Sequence, residues 1–296
     1  MKIIIINLLI ILFFVGCSTK INPAKNPEML ELNNLTVSYI KGGEYVMGTY
    51  DDKFLDKAPR KVILKDYYID KTEVTNMAYR QYISEAQGKA RTPKYIDDPI
   101  LGADELPVIG VTHKESAAFC KFYNKRLPTE AEWEFAAKGG TTNEHYSWGE
   151  KADPLYMNYR ESKKAAPVAV GSYPANGYGL FDMNGNVREW VMDSYEKDFY
   201  KDICTKKYFD FWEFVRKTYK IAKDYIDGKN YYPSSCYINP INKSESKYKS
   251  NRGGSYEYTK GFPASLSFRF FDEEDATHKD LGFRCATYEQ SNDNAE

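Results

Sequence analysis

Apolar positions in this chain recur first at every second residue and then at helical spacing, and the change of period places the elements. Val37–Ile40 alternates apolar and polar residues and runs into Gly42-Gly43. Glu44–Gly48 continues as a second extended piece. Val62–Leu64 and Tyr67–Ile69 are rich in β-branched and aromatic residues, as strands are. Helical spacing follows. Tyr79, Tyr82 and Ile83 share a face within Asn76–Ala86, with Thr72 or Thr75 as the cap. Ala117, Ala118, Cys120 and Phe122 lie along Lys114–Asn124, capped by Thr112. Thr129-Glu130-Ala131-Glu132 reads as a capping box, in which hydroxyl and carboxylate satisfy each other's backbone amides. Trp133, Ala136 and Ala137 follow on one side, and Gly139-Gly140 ends that helix. Beyond it the pattern becomes irregular, punctuated by Gly, Pro and Asn, with no internal repeat.

One later stretch regains a helical period. Within Lys206–Ile226, Tyr208, Trp212, Val215, Tyr219, Ala222 and Ile226 form an apolar stripe between Lys206, Lys207, Arg216, Lys217 and Lys223. Such a helix packs on its own domain or docks a partner. The chain has 296 residues, enough for one large domain or two small ones, and its 26 tyrosines supply ample core. A formal net charge of −1, with acids and bases interspersed, gives no basic face for a nucleic-acid partner.

The amino terminus reads as an export signal over residues 1–16. Lys2 precedes an apolar run, Ile3–Val15, broken only by Asn7. That run is short of the roughly 20 residues a membrane-spanning helix needs. Phe14-Val15-Gly16-Cys17 resembles the lipobox of bacterial lipoproteins, which implies lipidation at Cys17 and attachment to a membrane. Ser18 at the next position suits the outer membrane of a Gram-negative bacterium. Residues 17–35 are polar, carry Pro23 and Pro27, and read as a tether. Export permits disulfides, and Cys120, Cys204, Cys236 and Cys285 allow three pairings.

Four motifs carry the chemistry: RLPTEAEWEFAAKGG (Arg126–Gly140), NGYGLFDMNGNVREW (Asn176–Trp190), RGGSY (Arg252–Tyr256) and GFRC (Gly282–Cys285). Together they resemble the formylglycine-generating enzyme, or sulfatase-modifying factor, family. The resemblance implies an α+β fold, a variant of the C-type lectin fold with short strands and a few helices. It would span residues 36–290, with 193–250 as an insertion. It also implies a Cys120–Cys285 disulfide, which leaves Cys204 with Cys236. Asp182, Gly185, Val187 and Glu189 match one calcium site of the family, and calcium does favour carboxylates mixed with backbone carbonyls. A second family site is matched only at Asn158 and Tyr159, so one structural calcium ion is expected.

The catalytic centre of the family is where the chain departs from the pattern. Its two copper-binding cysteines would fall at Tyr258 and Pro263, and no cysteine lies between Gly254 and Arg284. Cu(I) is held by thiolates, so neither copper nor the family's oxidase chemistry is expected. His113, His145 and His278 are too dispersed for a histidine-bound iron, and no serine-nucleophile, phosphate-loop or HExxH motif occurs. Arg252 and Arg284 read as internal anchors for Glu132 or Glu134. Tyr256, Tyr258, Phe262, Phe268, Arg269 and Phe270 are expected around the vacated groove, an aromatic cleft suited to a peptide or glycan. The inserted region and the segment RFFDEEDATHKDLGFRC resemble those of gliding-motility and type IX secretion lipoproteins. The expectation is a non-catalytic, lipid-anchored protein of the cell envelope that binds envelope proteins. A peptide- or glycan-binding module, and an enzyme with non-thiol chemistry, are the alternatives.

Overall fold

The computed structural model describes residues 36–48, 60–142, 145–197, 199–200, 237–258 and 264–288. The export signal with Cys17, the tether, the stripe of 206–226, Cys204, Cys236, Phe262 and Pro263 lie outside the described residues. Among the described residues ten short strands and three α-helices make an α+β fold with much irregular chain.

Strands β1 (Val37–Ile40) and β10 (Ala286–Thr287) flank β4 (Tyr67–Asp70). Strands β2 (Gly43–Met47) and β6 (Tyr237–Ile238) flank β3 (Arg60–Leu64). The third sheet has the order β8-β7-β5-β9, built from Phe270–Glu273, Tyr248–Arg252, Arg188–Ser194 and Leu281–Phe283. At its centre β5 pairs antiparallel with β7 and parallel with β9. Enclosed on both sides, β5 is buried along nearly its whole length.

Helix α1 (Asn76–Glu85) starts at Thr75, whose hydroxyl accepts from the Ala78 amide, so Thr75 rather than Thr72 is the cap. Both α2 (His113–Phe122) and α3 (Glu130–Lys138) begin with complete capping boxes, Thr112 with Glu115 and Thr129 with Glu132. Gly139 ends α3 at φ 61°, where its backbone packs so closely on Asn176 that a Cβ would sit 2.8 Å from the asparagine side chain.

Two apolar clusters hold these elements together. In one, Ala131, Trp133, Ala136 and Ala137 of α3 meet Tyr45, Met47, Val62, Leu64, Tyr67 and Ile69 from the sheets. In the other, Tyr79, Tyr82 and Phe119 of α1 and α2 surround Trp190, Leu281 and Phe283. Each large side chain fully buried this way contributes about 1.5–3 kcal/mol. Cys120 and Cys285 form a disulfide inside the second cluster, tying α2 to the strand-rich end of the chain. Tyr200 and Tyr237, the described residues of the expected insertion on either side of 201–236, meet in a closed neck. Tyr200 and Tyr237 are both buried, their rings lie 5.5 Å apart, and the Tyr237 hydroxyl donates to the Tyr200 carbonyl.

Candidate functional site

Helix α3 is buried all round, so its acidic residues cannot face water and must be paired inside. Arg252, at the end of β7, donates to Glu130 at 3.0 Å and also to Glu134. Arg269 adds two bonds to Glu130, at 2.7 and 2.9 Å. Burial alone would push the Glu130 carboxyl up, but Arg269 and Arg252 hold it at about 2. Asp193 accepts from the Glu130 and Asn242 amides; burial, with the nearby Glu130 charge, pushes its carboxyl up to about 7. Arg252 is thus the internal anchor the sequence suggests, with Glu130 joining Glu134 as its partner. Arg269 belongs to the same buried network, and Tyr256 is buried as well. Neither residue lines the cleft described below, because the buried carboxylates of α3 draw Arg269 inward.

The turn before β5 holds the positions matched to calcium. It passes through left-handed backbone at Asp182, Gly185 and Asn186, residue types that tolerate that region. At Gly185 a Cβ would lie 2.4 Å from the Asn158 carbonyl oxygen, so only glycine fits. The structure divides the expected ligand set. Glu189 is committed elsewhere: Arg284 binds both its oxygens, at 2.7 and 2.8 Å, and the Trp133 indole donates to it at 2.8 Å. Arg284 is therefore anchored on Glu189, not on Glu132 or Glu134.

Asp182 differs. One of its oxygens accepts from the Gly171 amide, while Oδ1 is buried without a hydrogen-bond partner. Glu73 Oε2 and Asn158 Oδ1 are likewise buried without partners. Asn186 ties Glu73 and Asn158 to the same turn, donating from Nδ2 to Glu73 Oε1 at 2.9 Å and from its amide to the Asn158 carbonyl at 2.8 Å. Burial, with the Asp182 charge, pushes the Glu73 carboxyl well up; burial, with the Glu189 charge, pushes that of Asp182 up to about 6 against the Gly171 amide and Arg284. Oxygens left over in this way suit a hard cation on the Asp182 side of the turn, with Glu73, which the sequence did not suggest, in place of Glu189. Among the described residues no three Asp, Glu, His or Cys side chains are grouped as a metal site, so such an ion would depend on amide and carbonyl oxygens as well.

The open site lies beside Tyr258. A cleft of about 660 Å³ is lined by Arg160, Arg188, Glu257, Tyr258, Phe270, Phe271, Asp272, His278, Lys279 and Asp280. Arg188, the first residue of β5, forms its base, bonded to Asp280 at 2.9 and 3.1 Å and to Asp272 at 2.5 Å. Asp280 also accepts from the buried Ser255 hydroxyl at 2.8 Å. The Tyr258 ring sits 4.9 Å from Phe270. Burial pushes the Tyr258 hydroxyl up, so it remains protonated and able to donate. The expected aromatic cleft is thus largely polar: the Tyr258 and Phe270 rings share one wall, Phe271 stands at the edge, and paired charges form the rest. Of the residues named from sequence for the groove, Tyr258 and Phe270 line it. Glu257, Asp272, His278, Lys279 and Asp280 are not legible as groove residues in the sequence, because separate loop and strand positions supply them with no periodic signal.

The remaining histidines also find partners. His113 is buried, and its Nε2 donates to the Val191 carbonyl at 2.9 Å. His145 pairs with Glu150 and His278 with Asp272.

Comparison with known proteins agrees with this architecture. The sulfatase-modifying factor enzyme 1-like domain model matches residues 23–288. The serine/threonine-protein kinase pkn1 of Chlamydia caviae is 34% identical over 180 residues, covering 55% of this chain and 28% of that protein. The chain thus spans little more than a quarter of that relative's length. The inactive C-alpha-formylglycine-generating enzyme 2 of Mus musculus is 27% identical, over 63% of this chain and 76% of its own. The structure of PvdO from Pseudomonas aeruginosa superposes with a TM-score of 0.63 at 19% identity, covering 85% of this chain and 94% of that one, a likeness of fold. With most of its length matched by the family model, this chain belongs to the sulfatase-modifying factor enzyme 1-like domain family.

Proposed function

We propose that this chain is a non-catalytic member of its family that binds a protein partner through the cleft beside Tyr258. One observation carries the reading. The position expected for the first copper thiolate holds a tyrosine, on a cleft whose base is closed by the Arg188–Asp272–Asp280 ion network. A phenol held protonated is no substitute for a thiolate on soft Cu(I), and no other cysteine is near in sequence. The cleft nonetheless stays open, with hydrogen-bonding groups and aromatic surface, as a binding site requires. The likeness to a protein described as an inactive formylglycine-generating enzyme supports the same reading.

Anchored through Cys17, the domain would work at the cell envelope, in a machine of the gliding-motility or type IX secretion kind. Calcium, bound at Asp182, Gly185 and Val187 with Glu73 and Asn158, would brace the turn that leads into Arg188.

The test is crosslinking and capture from the membrane fraction with the full-length lipoprotein, with Tyr258→Ala, and with residues 201–236 deleted. A defined set of envelope proteins lost with Tyr258→Ala and kept by the deletion supports the cleft. A set lost only with the deletion moves recognition to the insertion. Conversion of a cysteine-containing peptide to its aldehyde would overturn the non-catalytic reading outright.

A further inference from the structure

The cleft meets strand β8 at its edge. Side chains of neighbouring strand residues point to opposite faces, so a cavity lying on one face touches every second residue. Phe270, Phe271 and Asp272 are consecutive, and all three line this cleft. A cavity that meets all three reaches from the face carrying Phe270 and Asp272 to the strand's outer edge.

The register shows what that edge offers. In β8, Asp272 stands opposite Lys249 and Phe270 opposite Asn251, and the Glu274 amide donates to the Lys247 carbonyl. On the far side of β7, the Tyr248 carbonyl accepts from Tyr195 and thus faces away from β8. Residues 270, 272 and 274 therefore spend their backbone groups on β7, and Phe271 sends both its N–H and its C=O outward. The outward N–H of Glu273 lies beyond it, while the Glu273 carbonyl turns back to accept from Ala276. Among the described residues no strand pairs with this side of β8.

Charge and apolar surface flank the edge. Arg160 and Lys279, with 60% and 57% of their side chains exposed, both lean on the single carboxylate of Glu257, at 3.7 and 2.8 Å. Two cations on one anion leave a positive charge confined to the rim, since deeper in the cleft two carboxylates, Asp272 and Asp280, share Arg188, with His278 beside Asp272. On the opposite face Phe271 is 47% exposed and stacks on Tyr195 at 4.2 Å.

We propose that the partner of this cleft is an extended acidic segment that adds to β8 as a short extra strand. This rests on the reading of the cleft as a binding site. A residue of the segment pairs its N–H and C=O with those of Phe271 and lays an apolar side chain against that ring. Its two neighbours point to the other face, toward Tyr258 and Phe270. Arg160 stands there, since its amide is bonded to the Tyr258 carbonyl, and acidic side chains at those neighbours meet the unbalanced rim charge.

The probe is the capped peptide Ac-Thr-Glu-Val-Glu-Thr-NH2, compared with its N-methyl-valine form and with a form carrying lysine for both glutamates. Fluorescence anisotropy against the full-length protein reads affinity. Hydrogen exchange reads protection of the Phe271 amide. N-methylation and the lysine exchange should each weaken binding at least tenfold, and Arg160→Gln with Lys279→Gln should remove most of the dependence on peptide charge. Phe271→Pro deletes the outward N–H without touching a bond to β7, so the sheet survives, as a Tm equal to that of Phe271→Ala, which loses the same ring contacts, will show. It should abolish binding, whereas Phe271→Ala, which keeps the N–H, should weaken it only several-fold. Equal binding of the N-methylated peptide, or full binding by Phe271→Pro, overturns strand addition while leaving the cleft as the binding site. Failure of the parent peptide to bind also overturns this proposal, and the capture experiment with Tyr258→Ala then decides separately whether the cleft binds a partner.

Discussion

Replacing Arg284 by alanine tests whether the family's glutamate has changed its role in this chain. Arg284 is fully buried. It donates twice to Glu189 and once each to the carbonyls of Asp70, Lys71 and Phe181, at 2.7–3.2 Å. Arg284→Ala leaves the buried Glu189 carboxyl with the Trp133 indole as its remaining donor among the described contacts. Removing one partner of a buried pair typically costs about 3–5 kcal/mol, because the other charge stays behind unpaired. For a domain of this size that lowers Tm by roughly 6–20 °C. Glu189→Gln keeps an acceptor for Trp133 and removes the charge. In that background Arg284→Ala should cost about 2 kcal/mol less than in the wild type, a coupling that a double-mutant cycle in urea isolates. Equal costs in the two backgrounds, to within about 0.5 kcal/mol, refute the pairing as the source of stability. Recovery of Arg284→Ala by added calcium refutes it in another way, since it would mean that Glu189 can serve as a metal ligand.

Chelation should lower the Tm of the wild type but not of Asp182→Asn, measured by differential scanning fluorimetry with and without calcium. Burial pushes His113 down to about 4, against about 6.5 in the unfolded chain, so the folded state resists protonation. Its contribution is complete above about pH 6.5 and falls by about 3 kcal/mol as the pH drops to about 4. The difference between wild type and His113→Gln in urea midpoint should therefore shrink over that window and stay flat above it. Reducing the Cys120–Cys285 disulfide, which closes a loop with a sequence separation of 165, should cost up to about 5 kcal/mol in the chain-entropy model. Cys120→Ser should match the reduced protein in chemical denaturation.

The parts of the fold legible in the sequence are those whose physics is local. The capping boxes at Thr112 and Thr129 and the glycine stop at Gly139 each depend on residues a few positions apart, and the helices begin and end close to where those signals put them. Strand β1 is legible from its alternation, β2 as the extended piece that follows it, and β3 and β4 from their β-branched and aromatic residues. Strand β5 is not, because β7 and β9 enclose it and it buries polar and apolar residues alike. Strand β8 opens on two phenylalanines followed by two acids and does not alternate, and β9 and β10 are only three and two residues long, too short for any period to appear. The site shows the same division. Tyr258 was found as a position in a motif. The Arg188–Asp272–Asp280 network joins residues separated by 84 and 92 positions, and no local pattern links them. Arg269 was misplaced for a related reason. An arginine beside a groove in sequence was drawn into the core by Glu130, a partner 139 residues away.

The closed neck at Tyr200 and Tyr237 separates the length of the insertion from the stability of the body. Because Tyr200 and Tyr237 are held against each other, the scaffold meets the same two anchors whatever chain runs between them. For a flexible connection, doubling its length adds only about 0.6 kcal/mol of closure entropy. Such a junction is a natural place for exchange. Sequence can be lengthened, shortened or replaced there, and even new chain ends opened, while the cleft and its supporting ion network keep their geometry.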